Sequence, residues 1–81
     1  MARILIVDDE PDLCRDLKSF LTSKGHEVEA ALGGEEGLEK LKSWRPHVVL
    51  LDIRMPGVNG LEALPRMKAV DPNVRIIMVT A

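Results

Sequence analysis

Three short apolar runs punctuate the chain, Ile4-Leu5-Ile6-Val7, Val48-Val49-Leu50-Leu51 and Ile76-Ile77-Met78-Val79. Each is rich in β-branched residues and too short for a helix, so each predicts a strand buried on both faces. A fourth stretch, His26 to Ala31, alternates Val28 with Glu27 and Glu29, the pattern of a less buried strand near a sheet edge. Between the strands the period changes to that of helices. Leu13, Leu17, Phe20 and Leu21 mark one apolar face of a first helix, which Pro11 opens and Gly25 stops. Leu38 and Leu41 oppose Glu39, Lys40 and Lys42 in a second helix, Glu35 to Trp44, which ends before Pro46. Leu61, Leu64 and Met67 follow Gly60, with Asn59 and Glu62 spaced as a capping pair, and predict a third helix ending near Asp71-Pro72. Pro65 falls inside that helix and removes a hydrogen bond, which predicts a kink or a late start.

The order is β-α-β-α-β-α-β, and right-handed crossovers turn it into a parallel sheet with helices on both faces. The unbroken first strand belongs at the centre and the alternating second at an edge. All carboxyl ends then share one rim. Asp8 and Asp9 follow the first strand, Asp52 the third and Thr80 the fourth, so the rim gathers residues that are far apart in sequence.

Composition narrows the classes. A chain of 81 residues with formal net charge −2 and 46% hydrophobic residues reads as one small globular domain spanning 1–81, with no linker, repeat or low-complexity segment. Mild acidity gives no basic face for nucleic acid, and no apolar run approaches the ~18 residues of a membrane span. The single Cys14 has no disulfide partner within the chain and reads as a core thiol, which fits a cytoplasmic setting. His26 and His47 read as strand-flanking residues and Trp44 as packing at a helix end.

Three clustered carboxylates repel one another unless a cation joins them or one takes a proton. Carboxylate oxygens suit Mg²⁺, which phosphate oxygens normally complete, yet no glycine-rich loop follows the first strand to cradle a nucleotide. A phosphoryl group carried covalently on a carboxylate supplies the missing ligand, and Thr80 is placed to donate a hydrogen bond to it.

At this point the chain resembles the receiver domain of bacterial two-component response regulators, over Arg3 to Ala81. The resemblance is carried by Ile-Leu-Ile-Val-Asp-Asp-Glu at 4–10, Leu-Leu-Asp-Ile-Arg-Met-Pro-Gly-Val-Asn-Gly at 50–60 and Val-Thr-Ala at 79–81. It implies a flavodoxin-like doubly wound sheet, here of order 2-1-3-4 and incomplete after the fourth strand. It also implies that Asp52 accepts a phosphoryl group from a histidine kinase, and that Asp8, Asp9, Asp52 and the Arg54 carbonyl hold Mg²⁺. Thr80 would be the switch hydroxyl. The module would be a phosphoacceptor and not an enzyme in the ordinary sense, although it would assist its own phosphotransfer.

The family pattern continues with a fourth helix, a fifth strand bearing a lysine and an aromatic, and a fifth helix, none of which is present in this sequence. The fourth strand should therefore form an exposed apolar edge, and the face left to the first helix alone should be partly bare. The chain is expected to form homo-oligomers through that edge or face. A second function class follows from the same departure: a truncated or degenerate receiver acting only as an oligomerising or interaction unit. A metal-dependent phosphatase of related fold is weaker, because no general acid is evident beside Asp52.

Overall fold

In the computed structural model the apolar runs are the strands β1 (Arg3–Val7), β3 (Val48–Asp52) and β4 (Arg75–Val79), and the alternating stretch is β2 (Glu27–Ala31). The helices α1 (Pro11–Ser23), α2 (Gly34–Trp44) and α3 (Gly60–Val70) connect them. The structure describes residues 1–57 and 59–79. All three strand pairings are parallel, in the order β2-β1-β3-β4, so β1 and β3 are central and β2 and β4 are edges. This is the flavodoxin-like arrangement.

Strand alternation divides the core in two. Leu5 and Val7 of β1 with Val49 and Leu51 of β3 face α2 and α3, where Leu38, Leu41, Ala63 and Met67 close over them. Leu5, Leu41, Leu51 and Met67 are wholly excluded from solvent. At about 1.5–3 kcal/mol for a side chain of this size, that layer supplies most of the driving force for folding. Ile4, Ile6 and Val28 face the other way, against Cys14, Leu17 and Leu21 of α1.

The second layer is thinner than the apolar runs predict. On β3 only Val49 and Leu51 are buried, whereas Val48 and Leu50, on the α1 face, remain half-exposed. No residue of β4 is fully buried; Ile76 and Met78 lean on the α2/α3 core while Ile77 and Val79 are exposed on the α1 side. One helix covers one face of four strands, and β1 and β2 lie beneath it. The apolar stripe of α1 is also rotated from the predicted one: Cys14, Leu17 and Leu21 pack inward, and Leu13 and Phe20 face out.

α3 begins at Gly60 with no late start, and Pro65 lies inside it on the exposed side. Asn59 Oδ1 accepts the Glu62 N–H at 2.9 Å, the expected cap. Its buried side is Gly60, Ala63 and Met67, whereas Leu61, predicted to face inward, is exposed. Gly25 takes the left-handed conformation (φ +92°) after α1, as predicted for its stop. The two histidines hook the start of β1: Ala2 N–H donates to His26 Nδ1 at 3.1 Å and Arg3 N–H to His47 Nδ1 at 3.0 Å. Trp44 packs on the core at the end of α2.

Candidate functional site

The carboxyl rim is built from backbone turns. Asp8 N–H donates to the Ala31 carbonyl at 3.0 Å, which carries the β1–β2 ladder one residue past Val7 and fixes where the next side chain emerges. Asp8 Oδ1 accepts the Glu10 N–H at 3.0 Å, and Asp52 Oδ1, at the last residue of β3, accepts the Arg54 N–H at 3.1 Å. The two acids thus sit in matching turns, each fixed through one carboxylate oxygen by the N–H two residues on. Asp9 is exposed beside them.

Asp8, Asp9 and Asp52 each offer an oxygen within 4.8 Å of the others. Burial holds the Asp8 carboxyl above the usual carboxylate range, and the charges of Asp52 and Asp9 push it further, against the pull of the Glu10 N–H. Asp8 is only 6% exposed, so its charge lies where water compensates it poorly. Three hard oxygen donors with excess negative charge fit a small divalent cation and no soft metal.

Beneath the rim, Cys14 Sγ donates to the Asp8 carbonyl at 3.4 Å. Burial, followed by the charges of Asp8 and Asp9, pushes the thiol up, so it stays protonated and packs as the predicted core residue.

The β3–α3 loop is held at both ends. Met55 is buried in the core, and Gly57 takes positive φ (+76°) directly after Pro56. Gly60 packs against the backbone of the acidic strand itself: a Cβ there would lie 2.5 Å from the Asp52 carbonyl oxygen and 2.7 Å from Ile53 Cα. Its N–H donates to the Ile53 carbonyl at 3.0 Å. Gly60 therefore sets how closely α3 approaches Asp52, a role that the spacing of apolar positions does not reveal. Ile53 N–H donates to the Val79 carbonyl at 3.3 Å, and Asp52 pairs in register with Val79, so β4 ends beside the acidic cluster. Thr80, the expected switch hydroxyl, lies outside the described residues. Of Arg54, the structure places the N–H on Asp52 and the side chain in solvent.

These features define a class: a doubly wound α/β domain whose parallel sheet carries a cation-seeking acidic pocket at its carboxyl rim. The family model described as the response regulator receiver domain matches residues 4–81, and the chain belongs to that family. It is 41% identical over 80 residues to the chemotaxis protein CheY of Thermotoga maritima, covering 98% of this chain and 67% of that protein. To the sporulation initiation phosphotransferase F of Bacillus subtilis it is 39% identical over 79 residues, covering 98% and 64%. Among solved structures it is similar to the response regulator TrrA of Thermotoga maritima in complex with Mg²⁺ and BeF, with TM-score 0.93, 43% identity and coverage of 100% of this chain and 70% of that one. TrrA has also been solved in complex with the histidine kinase ThkA, with TM-score 0.91 and the same identity and coverage. The chain spans about two thirds of the length of these curated relatives. Among the described residues no helix is long and apolar enough to cross a membrane.

Proposed function

We propose that this chain is a phosphoacceptor of two-component signalling, and that Asp52 is the residue phosphorylated. The observation that carries the proposal is the convergence of Asp8, Asp9 and Asp52, from two different strand ends, to within 4.8 Å. An oxygen of the Asp52 carboxylate attacks the phosphorus of a phosphohistidine donor. A P–O bond forms, the P–N bond breaks, and the imidazole leaves with the electron pair and takes a proton from water.

Asp8, Asp9, Asp52 and the Arg54 carbonyl are the groups assigned to Mg²⁺. When bound, the ion neutralises the clustered carboxylates and the incoming phosphoryl oxygens. The Glu10 and Arg54 N–H groups hold Asp8 and Asp52 in place for that task, and Gly60 keeps the α3 terminus close behind Asp52. Thr80 follows Val79 directly in sequence, and the pairing of Asp52 with Val79 supports its assignment as the hydroxyl that reports the phosphoryl group.

A histidine kinase is the proposed donor, as TrrA pairs with ThkA, and the cytoplasm is the proposed compartment. Neither a basic face nor a membrane-spanning helix among the described residues supports a nucleic-acid or membrane partner. The family match and the assembled acidic cluster do not favour a role as an interaction unit alone. Self-association through β4 is compatible with phosphoacceptance, and the exposed Ile77 and Val79 support it.

The test is treatment of the purified chain with acetyl phosphate and Mg²⁺, read by intact mass, with Asp52→Asn as control. The expected result is one added phosphoryl group that requires both Asp52 and Mg²⁺. An unmodified mass, or a modification that survives Asp52→Asn, overturns the proposal.

A further inference from the structure

At the opposite end of the sheet, about 13 Å of strand away from Asp52, the loops leading into β3 and β4 line a half-open cleft of about 380 Å³. Its walls include Arg45 and His47 from the first loop and Asp71, Asn73 and Arg75 from the second. Both arginines are exposed, and among the described residues neither lies within ion-pair distance of a carboxylate, although the chain carries more acids than bases. Asp71, the acid in the wall, has Oδ1 occupied by the Asn73 N–H at 3.0 Å.

Two further details set this cleft apart from a solvated charge patch. Arg45 is the residue other than glycine with positive φ among those described (φ 56°, ψ 61°), at the α2 C-terminus where glycine or asparagine is usual. The Arg3 guanidinium clamps its carbonyl through two bonds, 3.2 and 2.7 Å long, so a strained backbone is held fast while the Arg45 side chain makes no ion pair among the described residues. His47 Nδ1 is occupied by the Arg3 N–H, so the neutral ring carries its proton on Nε2 as a donor.

We propose that this cleft binds a small oxyanion, a phosphate- or carboxylate-bearing molecule, between Arg45 and Arg75. The planar guanidinium forks match such groups, and the Asp71 carboxylate in the same wall leaves the cleft with an excess of one positive charge. The volume lies at the lower end of small-ligand sites, enough for a compact anion. The site is distinct from the acidic rim, and its test is independent of phosphorylation on Asp52.

The experiment is amide NMR of the full 81-residue chain in metal-free buffer, titrated separately with inorganic pyrophosphate and with citrate, ionic strength held constant with NaCl. Saturable shifts are expected at residues 45, 47, 48 and 73–75, with affinity at least tenfold weaker in both Arg45→Gly and Arg75→Gln. The stronger of the two probes identifies phosphate or carboxylate as the recognised group. Arg45→Gly should also raise the melting temperature, because glycine takes the left-handed conformation freely, so loss of binding in that variant would not reflect unfolding. Shifts that fail to saturate, that NaCl alone reproduces, or that both variants leave unchanged overturn the proposal.

Discussion

At the scale of single residues, the acidic rim works against the fold that presents it. Asp8 is buried beside two other carboxylates, so its charged form is disfavoured before any ligand arrives. Asp8→Asn should therefore raise the stability of the metal-free chain by about 1 kcal/mol, which in a domain of this size is a rise of about 4–8 °C in melting temperature. On the proposed Mg²⁺ assignment, the ion should raise the melting temperature of the wild type further and not that of this variant, and calorimetry with and without Mg²⁺ reads both effects. A second residue pair behaves oppositely. Lys40 Nζ lies 2.8 Å from Glu29 Oε1, and this hydrogen bond holds Glu29 below its ordinary value of 4.5 and Lys40 above 10.5. A lowered acid stabilises the fold above its unfolded value and loses that contribution as pH falls through the folded one. The stability gap between wild type and Glu29→Gln should thus be present at neutral pH and close progressively below pH 4.5. Because the pair is over a third exposed at Glu29, the gap should be small and shrink with added salt. Urea melts across pH measure it.

Among the elements, α3 carries a local conflict. The Asn59 cap and the close approach at Gly60 start the helix against the Asp52 backbone, yet Pro65 interrupts the hydrogen-bond ladder five residues after Gly60. Tertiary packing of Ala63 and Met67 overrides the proline, whose ring points to solvent. Pro65→Ala should restore a donor to the Leu61 carbonyl and stabilise the chain by about 1–3 kcal/mol, read from urea denaturation. Little change would mean the helix accommodates the ring without strain. α1 shows a different override. Its periodicity places Leu13 and Phe20 on the packed face with Leu17 and Leu21, but the sheet beneath takes Cys14, Leu17 and Leu21 and leaves Leu13 and Phe20 exposed.

For the whole molecule, the consequence is asymmetry. One face of the sheet is closed by two helices and the other by one, so the edge strand β4 turns Ile77, 54% exposed, and Val79, 40% exposed, toward solvent with its outer backbone groups beside them. Ile77→Lys should abolish self-association of the 81-residue chain, read by light scattering, at small cost in stability because more than half of the residue is already exposed. A wild-type mass equal to one chain at micromolar concentration would instead show that this edge does not recruit a second copy. Charge is distributed with the same polarity along the strands. Asp8, Asp9 and Asp52 gather at the carboxyl rim, whereas Arg45 and Arg75, without an ion pair among the described residues, lie with Asp71 at the amino rim.

The sequence by itself determined the element order, the parallel sheet and the residues of the acidic rim. Runs such as Ile4 to Val7 and the step from Leu51 to Asp52 are local patterns, and the rule that parallel strands share a carboxyl rim converts them into a site. What only the tertiary structure decided depends on neighbours distant in the chain. Whether Leu50 and Ile77 are buried turns on which helix lies above them, and nothing within those strands encodes that. Asp8 and Asp9 look alike in sequence, yet one is buried and the other exposed, because the ladder continues one residue past β1. The need for glycine at 60 exists only once α3 lies against the Asp52 backbone, and Arg45 stands out only through a left-handed φ that the Arg3 guanidinium secures from 42 residues away.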